Sequence, residues 1–434
     1  MTSIVRVLLW GSTIGVAALE KGSIFATFQY TPEFIDSGIE VSPLTMPLRS
    51  EPYQFPALPY ETFRGLPGLL ADSLPDRFGN TLINLWLAGQ GRSPESFNAI
   101  ERLCYTGSRS MGALEFMPVR GPKATTSQKL QIDALVALAS EILSQRNRLS
   151  ISLSDHHETL KHILRVGTSA GGARAKAVIA WNRETGEVRS GQVTAPPDFS
   201  YWLLKFDGVS GNKDKELEDP KGFGAIEYAY YLMALDAGIE MEESRLLEEG
   251  GRRHFMTRRF DRTDDGKKIH MLSLAALAHY DFNNPTAYSY EQAFLVMRRL
   301  GLSMPEMEQM FRRMVFNILA RNQDDHVKNI AFLMNKDGQW RLSPAFDITY
   351  SYNPQGLWTA RHQMAMNGKR DGFTLQDFNE CGRTISLKRG RAAEIVREIG
   401  GIIRQWPGYA ESAAISLDTT LQIQQAHRLS DTVT

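Results

Sequence analysis

Residues 321–348 read RNQDDHVKNIAFLMNKDGQWRLSPAFDI. A helical pattern ends near Arg321, and the run Asn322-Gln323-Asp324-Asp325-His326-Val327-Lys328-Asn329 that follows is too polar for a strand. IAFLM and QWRL then read as two short strands joined by NKDG, a good hairpin turn. Beyond the hairpin, Asp347 sits in an apolar setting, PAFDI. Asp-Asp-His runs also occur in solvated turns, and an Asp before a strand can simply cap backbone. Each residue alone therefore decides little; loop, hairpin and second aspartate together carry the reading.

Phosphoryl transfer asks few things of a protein. One carboxylate must accept or orient the nucleophile's hydroxyl, and oxygen ligands must hold magnesium against the phosphates. Protein kinases place the first at an Asp, with a metal-binding Asn five residues on and a metal-binding Asp after a short hairpin. Asp324, Asn329 and Asp347 reproduce that order and the first spacing. Asp324 is the expected base, and Asn329 and Asp347 the expected Mg2+ ligands. A hydrolase using Asp324, Asp325 and His326 as metal ligands needs further histidines, and the other candidates lie far upstream.

The upstream half should then bind ATP. Lys205, in YWLLKFD, lies on an apolar strand, where a lone Lys is costly unless it meets an anion; a Lys snorkelling at a strand end is the plainer explanation. Glu227, on the following helix, could pair with it, and so could Glu216 or Glu218. The stretch VGTSAGGARAKAV (166–178) lacks the spacing of a P-loop or a dinucleotide fold. Gly171-Gly172 can still offer backbone N–H groups to phosphate, with Arg174 or Lys176 nearby, although a plain turn would look the same. Asp155-His156-His157 lacks the preceding strand of a phosphoesterase site. His162 falls one residue late for a zinc-binding pair with His157, about 100° off the ligand face. Both read as solvated surface.

Working outward, residues 1–60 alternate like short strands: SIVRVLLWG, STIGVAALE and GSIFATFQY, separated by Gly-Ser and similar turn signals. A helical pattern from about residue 61 and an extended piece at 111–119 follow, and GPKATTSQ (121–128) reads as a linker. Next come a helix, LQIDALVALASEILSQR, and the segments AKAVIAWN, FSYWLLKFD and HFMTRRFDR. The helix AIEYAYYLMALDAG is inserted before the last of these. From about 267 the chain is mainly helical, with Ser289 and Ser303 placed as caps. The expected domains are a β-rich 1–120, a mixed-sheet lobe 121–262 and a helical lobe 263–434. Equal numbers of basic and acidic residues (49 each) give no global field to attract nucleic acid. Two cysteines, Cys104 and Cys381, argue against a disulfide framework and fit a reducing cytosol. The apolar run after Arg6 is followed by Glu20-Lys21 where a signal-peptide cleavage site should lie, and no other run reaches the ~18 residues of a bilayer span. A cytoplasmic chain with no membrane partner is expected.

GLLADSLPDRFGN, GSRSMGALEF, TSAGGARAK, WLLKF, RRFDR, NQDDHVKN and PAFDI together resemble the HipA family of toxin–antitoxin kinases, over most of the chain. The resemblance implies an α+β fold: a two-lobed protein-kinase-like architecture with a mixed-sheet N-lobe and a helical C-lobe, preceded by a small β-rich domain. It implies an ATP- and Mg2+-dependent serine/threonine-protein kinase. Asp324 resembles the catalytic Asp, Asn329 and Asp347 the magnesium ligands, and Lys205 the ATP-contacting Lys. Phe260 and Asp261 fall where the family borders adenine and ribose. Ser169, Ala170, Gly171, Gly172, His326 and Lys328 fall in the nucleotide-binding motifs. Ser169 also falls at the family's autophosphorylated serine, whose phosphate, of about two negative charges, would sit where those of ATP belong; the adjacent Thr168 is the alternative acceptor. The implied partners are a small helix-turn-helix antitoxin, a protein substrate such as an aminoacyl-tRNA synthetase, and operator DNA mainly through the antitoxin. The loop is richer in glycine than in the best-known members, and Arg258 replaces a residue that is acidic in some. A degenerate, antitoxin-bound corepressor and a kinase of a lipid or small metabolite are the alternatives.

Overall fold

A computed structural model describes residues 2–121, 129–144, 163–164, 167, 174–192, 194–209 and 222–429. The chain forms two compact units: residues 1–221, 247–272 and 333–339 in one, and 222–246, 273–332 and 340–434 in the other.

The first unit opens on the expected meander. β1 (Ser3–Leu9), β2 (Ser12–Leu19), β3 (Thr27–Tyr30) and β4 (Leu114–Met117) form an antiparallel sheet in the order β3-β2-β1-β4. In β1, Val5, Val7 and Leu9 point inward at the two-residue period of a half-buried strand. Leu9 pairs with Ser12 across Trp10-Gly11, both at positive φ, the geometry of the tight hairpin turn whose twist suits the strands. Trp10 tolerates φ 49° here, and its indole N–H donates to the Lys268 carbonyl at 2.9 Å.

A second antiparallel sheet, with order β6-β5-β7-β9-β8, comprises β5 (Lys176–Asn182), β6 (Val188–Ser190), β7 (Phe199–Lys205), β8 (Ser244–Glu249) and β9 (Arg252–Arg258). A short β10 (His270–Ser273) follows. The core under this sheet gathers Ile132, Leu135, Val136, Ala139 and Ile142 from helix Ile132–Ser144, and Phe78 and Leu82 from helix Arg77–Ala88. A helix expected in the 1–120 domain thus shares the core of 121–262, and the two condense into one unit. Helix Phe223–Asp236, expected within the sheet lobe, belongs instead to the second unit: Tyr230 donates to the Ala320 carbonyl at 2.7 Å and meets Trp406 edge-on.

The second unit is helical around Met304–Leu319, whose buried face carries Met307, Met310, Phe311, Met314, Ile318 and Leu319. Ser303 and Glu306 form a capping box at its start, and Ser289 and Gln292 do the same for Tyr290–Arg299. β11 (Ala331–Met334) and β12 (Trp340–Leu342) form the expected hairpin, whose residues 333–339 are grouped with the first unit and whose turn has Asn335 N donating to the Gln339 carbonyl. Helices Leu375–Thr384, Arg391–Ile403, Trp406–Ser412 and Leu417–Ala426 complete the unit. Among the described residues no helix is long and apolar enough to cross a membrane.

Asp261, which the resemblance sets beside a ribose, lies in an ion network of the first unit. It is fully buried, and its carboxylate accepts from Arg259, Arg262 and the backbone N–H of Gly112. Burial alone would raise its carboxyl pKa, but the two guanidinium groups outweigh that and hold it far below the usual carboxylate range. Arg262 also donates to the Gly112 carbonyl, so the GSRSMGALEF segment is tied to RRFDR by buried charge. Asp261→Asn leaves two arginines underneutralised in the interior. It should lower unfolding free energy by about 3–5 kcal/mol, read as a shift in the urea midpoint.

Candidate active site

The polar loop 321–330 follows the central helix because Arg321 turns to φ 60°, which ends helical bonding. It is held from three sides within the second unit. From below, Asp325 is buried: its Oδ2 accepts from Tyr290 Oη at 2.7 Å and from His362 Nδ1 at 2.9 Å, and its Oδ1 from Gln363 N at 2.8 Å. Burial pushes the Asp325 carboxyl up, but His362, Tyr290 and the Gln363 N–H prevail and hold it below its ordinary value. From one end, Leu274 N donates to the Ile330 carbonyl and Ala275 N to that of Val327. Within the loop, Asn329 Nδ2 donates to the Asp324 carbonyl at 2.9 Å.

Asp324 is different from its neighbour. Its side chain is 48% exposed, and Oδ1 accepts from Gln363 Nε2 at 2.6 Å. His326 Nε2 stands 3.9 Å from the same oxygen. His326 Nδ1 accepts from Lys328 N at 3.2 Å, so the ring proton lies on Nε2, toward Asp324. The Lys328 ammonium sits 4.7 Å from the centre of the Phe282 ring.

Asn329 and Asp347 line one small cavity of about 20 Å³, together with Asn322, Asp325, His326 and Arg313 among others. With its nitrogen bound to the Asp324 carbonyl, Asn329 has its amide oxygen to offer a cation. Asp347 follows the hairpin at φ 54°, a left-handed conformation uncommon outside glycine and concentrated at functional positions. Amide and carboxylate oxygens are the hard donors that suit Mg2+, which takes few protein ligands and completes its shell with phosphate and water. The residues present therefore fit that ion. Arg313 is buried beside them, donating Nη2 to the Ser343 carbonyl.

In the first unit, Lys205 and Lys176 occupy paired positions on β7 and β5, and both are buried. Lys176, a candidate phosphate contact, pairs with Asp76 of the LPDRFGN segment at 3.5 Å. The Lys205 ammonium lies 5.7 Å from the Phe255 ring centre. Phe260 is half-buried in the turn after β9. Glu227 is buried on helix Phe223–Asp236 of the second unit. Thr168, Ser169, Ala170, Gly171, Gly172, Glu216, Glu218, Asp155, His156, His157 and His162 lie outside the described residues. Sequence reading missed Asn317 on the preceding helix, Tyr290, His362 and Gln363, which reach the loop from distant segments, and Arg428, which reaches His362.

Asp325 gives a sign to acid sensitivity. A carboxyl held down by its folded environment contributes stability that is complete above the unfolded Asp value of about 3.9 and is lost as pH falls through the folded value. Asp325→Asn should therefore cost about 1–3 kcal/mol at neutral pH, and the gap from wild type should close on acidification in urea titrations.

The comparisons with known proteins follow this geometry. Residues 5–117 match the HipA N-terminal domain and residues 168–406 the HipA-like C-terminal domain. A protein of Haemophilus influenzae, provisionally named a kinase, is 25% identical over 191 residues, which is 38% of this chain and 56% of that protein. The chain thus spans little more than half of that relative. HipA of Shewanella oneidensis MR-1, solved with HipB and operator DNA, superposes with a TM-score of 0.66 at 15% identity, covering 97% of this chain and 95% of the other. At that identity the likeness concerns the fold, and the expected α+β kinase-like class holds. With both domain types matched along its length, the chain belongs to the HipA family.

Proposed function

We propose that this chain is an ATP- and magnesium-dependent serine/threonine-protein kinase, the toxin of a toxin–antitoxin pair. The observation that carries the reading is the contrast between adjacent carboxylates. Asp325 is buried and saturated with donors, while Asp324 is half-exposed, anchored through one oxygen, and set on the loop whose Asn329 shares a cavity with Asp347. That is the division between a structural carboxylate and one available to a substrate.

In this reading the acceptor hydroxyl approaches Asp324 Oδ2. Asp324 orients it and takes its proton as the oxygen bonds to the γ-phosphorus and the bond to the ADP oxygen breaks. Asn329 and Asp347 would hold Mg2+, which neutralises charge on the phosphates. Lys205 contacts the nucleotide phosphates, Phe260 borders the base, and the 168–172 loop covers them, with Ser169 or Thr168 the self-phosphorylated residue. A helix-turn-helix antitoxin, operator DNA reached mainly through it, and a protein substrate such as an aminoacyl-tRNA synthetase are the proposed partners. The Shewanella oneidensis protein's complex with HipB and operator DNA supports the first two.

Purified protein incubated with labelled ATP and magnesium, beside Asp324→Ala, tests this. The wild type should label itself at Ser169 or Thr168, and the variant should lose at least about a hundredfold in rate. Gln363→Ala, which releases Asp324 Oδ1, should lower kcat about tenfold. No label and no ATP-dependent thermal shift would leave the corepressor reading. ATP binding without self-labelling would direct the search to an external acceptor, lipid or metabolite included.

A further inference from the structure

Arg428 follows helix Leu417–Ala426, 104 positions beyond Asp324 in sequence. Its side chain is only 8% exposed, an expensive place for a guanidinium unless its donors are met. They are met by groups that support the loop. Nη1 donates to the Ile318 carbonyl at 3.0 Å and to His362 Nε2 at 2.8 Å, and Nη2 donates to Asp371. The backbone N–H of Arg428 donates to the Leu319 carbonyl at 2.9 Å. Two residues earlier, the Ala426 carbonyl accepts from Arg321 Nε at 2.6 Å, and Arg321 Nη1 in turn donates to Gln323 at 2.9 Å.

The bond to His362 fixes a proton. A guanidinium has no lone pair to offer, so His362 Nε2 must be the acceptor and the ring hydrogen must sit on Nδ1. That hydrogen points at Asp325 Oδ2. The next residue, Gln363, spends its backbone N–H on Asp325 and its side-chain amide on Asp324. Arg428 therefore sets the tautomer and rotation of His362, His362 holds the 362–363 segment against Asp325, and Gln363 passes the placement to Asp324.

We infer that Arg428 is a positioning residue for phosphoryl transfer, acting through His362, Asp325 and Gln363 to fix Asp324, so that the segment after the last helix is part of the catalytic apparatus. The inference rests on the kinase reading above. A small misplacement of a reacting group costs up to about a hundredfold in rate, and among the described residues the hydrogen-bond partners of Arg428 are Ile318, Leu319, His362 and Asp371, none of them proposed to bind nucleotide.

The test compares full-length wild type with Arg428→Ala and Arg428→Lys in steady-state ATP kinetics, with hydrogen–deuterium exchange of the 321–329 peptide measured on the same samples. Arg428→Ala should lower kcat roughly ten- to a hundredfold with KM for ATP within about twofold. Arg428→Lys, whose ammonium still donates to His362 Nε2, should recover part of the rate. Exchange at 321–329 should rise in the alanine variant and fall back in the lysine variant. Unchanged kcat and unchanged exchange in Arg428→Ala would overturn the inference. So would a loss accompanied by faster exchange throughout the helices, because that is general destabilisation. If the wild type transfers no phosphate, the kinase reading fails, and the exchange pattern alone still decides whether Arg428 orders this loop.

Discussion

Much of the second unit is organised around one buried carboxylate. Asp325 is buried, and three donors from two separate segments offset the lost hydration: Tyr290 from a helix, and His362 and Gln363 from the stretch beyond the hairpin. In a low-dielectric interior such an anion is tolerable only when its lone pairs are met in good geometry. That requirement fixes the helix, the loop and the 362–363 segment relative to one another. The exposed neighbour, Asp324, then acquires a defined position through its own peptide bond to Asp325 and through Gln363. One residue is committed to the interior so that the next can face outward and still be rigid.

The first unit uses the same device. Asp261 is saturated by Arg259, Arg262 and Gly112, and Asp76 balances Lys176 while also capping helix Arg77–Ala88 through Gly79 N at 2.6 Å. Both acidic residues belong to segments that stand out in the sequence, RRFDR and LPDRFGN. A striking residue pattern is thus not by itself a ligand site, since buried ion networks demand specific side chains as strictly as substrates do.

This accounts for what could be read in advance. Strand alternation in β1, the Ser289 and Ser303 caps, the NKDG hairpin and the Asp324–Asn329 spacing are local patterns, and local patterns survive in a one-dimensional string. The partners of Asp325 do not, because His362 and Gln363 lie 37 and 38 residues away. Arg428 is hidden for the same reason. The division into units also resisted reading: helix Arg77–Ala88 looks like part of its own sequence neighbourhood, yet Phe78 and Leu82 complete the core beneath a sheet formed a hundred residues later. The ion network around Asp261 is equally hidden, because a position in a motif says nothing of which way a carboxylate turns.

The chemistry of the groups that hold the 321–330 loop bears on why it is built as it is. An irregular backbone has no ladder to satisfy it, so side chains must. Here amides dominate: Asn322 Nδ2 donates to Asn317 Oδ1 and to the Asp347 carbonyl, Gln323 Nε2 to the Thr359 carbonyl, and Asn329 Nδ2 to the Asp324 carbonyl. Gln363 Nε2 holds Asp324 Oδ1 itself. Lysine or arginine in these positions would make stronger bonds, but each would also bring a full charge and its desolvation cost into the loop's support. Neutral donors orient the carboxylate without that cost. Formal positive charge enters the support network one step back from Asp324: Arg428 donates to His362 Nε2, Arg370 to the His362 and Gln363 carbonyls, and Arg321 to Gln323.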